Sequence, residues 1–274
     1  VTKEQERARA HRRQEKLDAR AAQREREAAR NRQVAVVVAA VLVVVAAFVF
    51  LATRLGGDDT TPAASPSATS TPQASTSATT AAVAGCTAPP AVPTAIKTQG
   101  LPAKATAAGK TFTAVVTTNC GDITLQLDGA KAPQTVASFV ALARSSYFND
   151  APCHRLTTQG IFVLQCGDPL GGTGTGPGYA YGLENTPKDG KYPKGTLAMA
   201  RTTDVNSNAD QFFIVYDDTD LSSVPEGYSI FGTVTGGMDI VEKIAAAGVS
   251  GGATDGAPAA PISILKVAVT EKKA

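Results

Sequence analysis

The chain of 274 residues contains no tryptophan, two histidines, two methionines and four cysteines. His11 sits in a charged N-terminal stretch and His154 far downstream, and no CxxC occurs, which argues against a conventional zinc site. There is no G-x-S-x-G elbow, and a single downstream histidine leaves little room for a nucleophile–histidine–acid triad. Gly171-Gly172-Thr173-Gly174-Thr175-Gly176-Pro177-Gly178 lacks the Lys-Ser/Thr ending of a P-loop and leads into no helical pattern, so it reads as a surface loop shaping a groove. No cofactor is implied. Residues 60–96 carry no charge at all, and that gap divides the chain.

Residues 1–33 hold 11 Lys and Arg against 6 Asp and Glu, without an apolar stripe that could build a core. Residues 34–52 are an uncharged run of 19, nearly all Val, Ala, Leu and Phe. As a helix this run would be about 28 Å long, close to a hydrocarbon core of about 30 Å, and it would satisfy its own backbone hydrogen bonds in lipid. A transmembrane helix over 34–53 is therefore expected, contacting the bilayer. Six Lys and Arg lie in residues 14–33 and only Arg54 in residues 53–72. The positive-inside rule then places the N-terminus in the cytoplasm and the rest outside, as a single-pass signal-anchored protein of the cytoplasmic membrane. In that setting the basic segment is a juxtamembrane topogenic element, and no nucleic acid is expected as a partner. Residues 54–110 form a Ser/Thr/Ala/Pro-rich, disordered linker and lead-in, since such a tract cannot bury enough apolar surface to offset ordering entropy.

From residue 111 to 272 the pattern becomes globular. Phe112-Thr-Ala-Val-Val-Thr-Thr and Asp122-Ile-Thr-Leu-Gln-Leu-Asp both alternate, and Asn119-Cys120-Gly121 between them is turn chemistry, which together predict a β-hairpin. Pro133 opens a helix whose apolar face is Val136, Phe139, Val140 and Ala143, and a second helix spans 238–247 with Met238, Val241 and Ile244 on one side. Further strand-like runs fall at 155–157, 162–165, 196–200, 211–216, 229–234 and 262–270. Many strands with two helices suggest a closed or strongly curved β-barrel capped by helices. Within it Arg155, Gln165 and Gln211 are polar residues in apolar strand patterns, where buried amides must find partners.

The order of short strings narrows this further. Cys153-His154-Arg155, Phe162-Val163-Leu164-Gln165-Cys166-Gly167-Asp168, Leu197-Ala198-Met199-Ala200, Asp210-Gln211-Phe212-Phe213-Ile214 and Phe231-Gly232 follow one another. They resemble the FHR, FxxQGGD, LSMA, SQFFI and FG strings of the cyclophilins, over nearly the whole domain. The resemblance implies a mainly β fold, a closed eight-stranded antiparallel barrel capped by two α-helices. It implies peptidyl-prolyl cis–trans isomerase activity, here on proline-containing polypeptides outside the membrane. By the same resemblance Arg155 matches the catalytic arginine. Phe162, Val163, Phe213 and Leu221 match the proline pocket, Gln165, Ala200, Arg201 and Gln211 match positions that hold substrate backbone, and Tyr228 edges the pocket. Departures from the pattern are Arg201 for Asn, Leu221 for Trp, Tyr228 for His and Cys166 for Gly, with two extra residues between Arg155 and Phe162. Losing the indole at 221 implies at most weak binding of a cyclosporin-type ligand. A non-catalytic module gripping proline-containing segments of an envelope partner is the alternative function; a third reading gives the basic N-terminal segment a cytoplasmic partner.

All four cysteines fall on the expected outer side, where disulfides persist. A hairpin turning at Gln159-Gly160 would set Cys153 directly opposite Cys166, close enough for a cross-strand bridge. Cys86 and Cys120 would be the remaining pair, with four free thiols as the alternative.

Overall fold

The computed structural model describes residues 83–272, and the expected cytoplasmic segment, the 34–53 span and the first part of the linker lie outside the described residues. Among the described residues no helix is long and apolar enough to cross a membrane.

The expected hairpin is β1 (Thr111–Thr118) and β2 (Gly121–Asp128), paired antiparallel with Thr111 opposite Asp128 and Thr118 opposite Gly121. Alternation sends Phe112, Ala114 and Val116 inward from β1 and Ile123, Leu125 and Leu127 inward from β2. Helix α1 (Pro133–Arg144) follows, with Val136, Phe139, Val140 and Ala143 buried against this sheet. No residue of the helix caps its own start. Glu184 instead accepts from the backbone N–H groups of Gln134 (3.0 Å) and Thr135 (2.8 Å), satisfying orphan donors with a negative charge at the positive end of the helix. Phe139 is the centre of the core, with ring centroids 5.2, 5.4 and 5.6 Å from Phe148, Phe212 and Phe231. Each such buried ring contributes about 1.5–3 kcal/mol through removal from water.

After α1 come short segments, β3 (Ala151–Pro152), β4 (Arg155–Thr157) and β5 (Val163–Cys166), then β6 (Lys191–Tyr192), β7 (Thr196–Met199), β8 (Phe212–Val215) and β9 (Thr219–Asp220). The chain closes with β10 (Ile230–Gly236), α2 (Met238–Ala247), β11 (Asp255–Gly256) and β12 (Ser263–Lys272). Ten of these strands make one antiparallel sheet in the order β11-β4-β5-β8-β7-β10-β2-β1-β12-β3, while β6 and β9 pair separately. The sheet is thus a curled, open half-barrel with two helices, not the closed eight-stranded barrel expected. The reason lies at Cys153-His154, which interrupts the strand that would seal the seam. β3 pairs with β12 and β4 pairs with β5, and the two ends of the ladder share no pairing.

β7 and β8 are buried on both faces. Leu197, Met199, Phe212 and Ile214 enter the main core, whereas Ala198, Phe213 and Val215 join Val163, Tyr192 and Leu221 in a second cluster on the other face. That second cluster is the floor of the site described below.

Both cysteine pairs are disulfides, Cys153–Cys166 and Cys86–Cys120. The register between β4 and β5 differs by one from that expected, with Arg155 opposite Gln165 and Leu156 opposite Leu164. A strict ladder would therefore set Cys153 across from Gly167; the bridge forms because the ladder lapses at Cys153 and the chain bends toward β12, where the Cys153 N–H donates to the Ile262 carbonyl (2.9 Å). The lead-in is also more ordered than its composition suggests. Beyond the disulfide, the Asn119 side chain donates to the Thr87 carbonyl (2.8 Å) and accepts from the Ser263 N–H (2.7 Å). Gln99 N–H donates to the Pro177 carbonyl (2.8 Å), and Ile96 packs on the core.

Candidate active site

The outer face of β5, β7 and β8 floors a groove of about 330 Å³. Its apolar wall is Val163, Phe213, Leu221, Ile161 and Ala200, with Tyr228 at the lip. Strand alternation explains the selection: Val163 and Gln165 face the groove while Leu164 and Cys166 face the core. The Tyr228 ring stands edge-on to Phe213, with centroids 5.3 Å apart and planes at 89°. Its backbone is gripped by Tyr192, whose hydroxyl donates to the Tyr228 carbonyl (3.0 Å) and accepts from the Tyr228 N–H (2.6 Å).

The polar side of the groove is a relay. Arg155 Nη1 donates to Gln165 Oε1 (3.3 Å), Gln165 Nε2 donates to Gln211 Oε1 (2.8 Å), and Gln211 Nε2 donates to Asp168 Oδ2 (3.3 Å). A guanidinium can only donate and a carboxylate only accept, so the two ends dictate which way both amides face. Asp168 is fully buried and also accepts from the backbone N–H groups of Leu170 (2.8 Å) and Gly174 (2.7 Å). The glycine-rich stretch is thereby folded onto the groove's edge, where Gly172 lines it; a Cβ there would lie 2.8 Å from the His154 ring. Next to Asp168, the buried carboxyl of Asp210 is pushed up to about 6 by desolvation and accepts from the Tyr147 hydroxyl at 2.6 Å. Burial lowers the His154 pKa, so this groove residue is neutral at pH 7.

Arg155 is held from outside as well. Nε and Nη2 each donate to the Asp255 carboxylate at 2.8 Å, which raises the arginine pKa and lowers that of the aspartate. Arg201 is tied to backbone carbonyls. Its Nε donates to the Gly227 carbonyl (2.8 Å), Nη1 to Thr202 (2.8 Å) and Nη2 to Pro225 (2.5 Å), and its guanidinium lies 5.1 Å from the Tyr228 ring centroid. It lines the groove, and its Nε and Nη2 donors staple the loop that carries Tyr228.

The structure therefore brings Arg155, Val163, Gln165, Ala200, Arg201, Gln211, Phe213, Leu221 and Tyr228 to one groove. Phe162 is not among them. It packs edge-on against Tyr216, 5.9 Å between centroids, on the side away from the groove, and Ile161 occupies the wall instead. Alternation accounts for this, since Ile161, Val163 and Gln165 fall on the groove side and Phe162 on the other, while Gln159 and Ile161 bridge around Gly160 just before. Ile161, His154 and Gly172 are groove residues that sequence patterning did not single out as contacts. The Cys166 departure is also explained. Position 166 faces the core, whereas Gly167 (φ 101°) has no room for a Cβ, which would lie 2.4 Å from the Asp210 carbonyl oxygen.

Comparison with known proteins identifies the family. The family model described as "Cyclophilin type peptidyl-prolyl cis-trans isomerase/CLD" matches residues 113–269. A Mycobacterium tuberculosis protein named "Probable peptidyl-prolyl cis-trans isomerase B" is 43% identical over 200 residues, covering 67% of this chain and 63% of its own length. The chain thus spans less than two thirds of that relative. Peptidyl-prolyl cis-trans isomerase B of Escherichia coli is 35% identical over 168 residues, covering 56% of this chain and 97% of its own. In fold, the chain resembles a crystal structure of a Cryptosporidium parvum cyclophilin type peptidyl-prolyl cis-trans isomerase, with a TM-score of 0.50, 24% identity, and coverage of 60% of this chain and 99% of that one. The chain belongs to the cyclophilin-type peptidyl-prolyl cis–trans isomerase family.

Proposed function

We propose that this protein is a peptidyl-prolyl cis–trans isomerase that assists the folding of proline-containing polypeptides outside the cytoplasmic membrane. The observation that carries the reading is the placement of the Arg155 guanidinium beside a groove floored by Val163, Phe213 and Leu221. The uncatalysed reaction is slow because resonance makes the peptide bond partly double, with a barrier of about 18–20 kcal/mol. Nothing needs to be broken. The apolar wall takes the proline ring and excludes water, leaving the preceding carbonyl free to swing. At the twisted geometry the prolyl nitrogen regains a lone pair and becomes an acceptor. Arg155 has five N–H donors, of which two meet Asp255 and one meets Gln165, so two remain for the substrate. They remain charged at any working pH. The Gln165–Gln211 relay holds the groove's polar edge for the flanking peptide backbone, and Ala200 leaves room beside it. Leu221 gives the groove apolar area without an indole donor, which supports at most weak affinity for a cyclosporin-type ligand.

The location belongs to the same proposal and rests on the charge asymmetry around residues 34–53. Two disulfides in the described residues fit an oxidising compartment. The function is tested by following cis–trans exchange of a short Ala–Pro peptide with the full chain present; no acceleration over buffer refutes it. A reporter active only outside the membrane, fused after Lys273, tests the location, and activity solely of a cytoplasmic reporter refutes it.

A further inference from the structure

Asp255 lies 100 residues after Arg155 in the chain, yet it makes the shortest contacts of that guanidinium, two bonds of 2.8 Å in the fork-to-fork arrangement. It is carried by the two-residue strand β11, whose sole pairing is with β4, Asp255 opposite Thr157 and Gly256 opposite Leu156. The segment around it is itself braced. Ser250 N–H donates to Ala257 (2.8 Å), Ala259 N–H to Gly248 (2.9 Å) and Thr158 N–H to Thr254 (2.9 Å), and Val249 bridges Pro258. Such bracing is more than the stability of the pair explains, because the side chains are 39% and 53% exposed and an ion pair of that exposure contributes little to folding. What it does accomplish is geometric. β4 is three residues long, and an arginine on so short a strand would otherwise sample many rotamers, which has to be undone each time a twisted peptide is bound.

We infer that Asp255 is a positioning residue for the isomerase reaction: its carboxylate fixes the plane of the Arg155 guanidinium so that the free N–H donors aim into the groove. The inference rests on the isomerase reading above and adds to it a residue outside the groove. Among the described residues, Asp255 has no hydrogen-bond partner in the groove apart from Arg155; it acts through Arg155 alone. The family's string positions around Arg155 and Gln165 do not point to it, because it comes from the loop that follows α2.

The test uses the full chain and exchange NMR on an Ala–Pro peptide. Asp255→Asn keeps the shape and one acceptor but removes the charge, and kcat/KM is expected to fall roughly tenfold, equivalent to about 1.4 kcal/mol of transition-state stabilisation. The loss should appear in kcat more than in KM, with Tm changed by no more than about 2–4 °C. Asp255→Glu, which retains a carboxylate, should recover part of the rate. In an Arg155→Lys background, where the fork is already gone, Asp255→Asn should change kcat/KM by less than about twofold. Wild-type kcat/KM in Asp255→Asn, or the same fold loss in both backgrounds, overturns the inference while leaving the isomerase reading intact. A wild-type chain that does not accelerate exchange refutes the isomerase reading itself and the inference with it.

Discussion

Asp210 offers a quantitative check on the electrostatics beneath the groove. Its side chain is buried beside the buried Asp168, and desolvation raises its pKa from 3.8 to about 6. The unfolded chain releases this proton near pH 4, whereas the folded chain keeps it until about pH 6. The folded state is therefore favoured below pH 4, loses that advantage as the pH rises to about 6, and is level above. A shift of roughly two units corresponds to about 2–3 kcal/mol at pH 7. Asp210→Asn is neutral at every pH and keeps an oxygen to accept from Tyr147. It is expected to be more stable than wild type by about 2–3 kcal/mol at pH 7, or about 5–10 °C in Tm, and about equal to it at pH 4. The assay is denaturant unfolding of both full-length proteins across pH 4–7, followed by near-UV circular dichroism of the tyrosines, since the chain has no tryptophan. Taking the difference at each pH cancels the titrating groups that do not interact with Asp210. A difference that does not change between pH 4 and 6, or a variant less stable than wild type at pH 7, would refute the desolvation argument.

Two further outcomes follow from the site's geometry. Ile161→Ala should raise KM for a proline peptide several-fold, because it removes part of the groove wall, while Phe162→Ala should leave KM near wild type; the reverse order in steady-state kinetics would return Phe162 to the groove. Replacing Cys153 and Cys166 by alanine opens a loop with a sequence separation of 13 and should cost about 3 kcal/mol of stability, read as a lower denaturant midpoint. An unchanged midpoint would mean that the bridge does not constrain the unfolded chain.

The features legible in the sequence were those carried by local pattern. β1 and β2 alternate because one face is buried, and α1 starts at Pro133 because proline lacks the N–H that would go unpaired at the first helical position anyway. The groove residues on β5 and β8 were legible through ordered strings. What escaped was set by tertiary partners. Glu184 caps α1 from 49 residues away, and nothing in the helix's own sequence marks it. Asp255 meets Arg155 through an edge strand of two residues, too short to leave a period. Phe162 was matched to the wall through its place in a string, but alternation over 161–165 puts Ile161, Val163 and Gln165 on the groove side and Phe162 opposite. The seam of the barrel failed because an interruption of two residues at Cys153-His154 carries no turn signal.

The central claim is that Arg155 stabilises the twisted peptide. Its most direct test is the rate of cis–trans exchange of an Ala–Pro peptide with the full wild-type chain and with Arg155→Ala, at equal folded concentration verified by circular dichroism. One charge-assisted hydrogen bond is worth about 1.5–3 kcal/mol, so the account predicts a loss of roughly tenfold to a hundredfold in kcat/KM with the fold retained. Equal rates for the two proteins would contradict it.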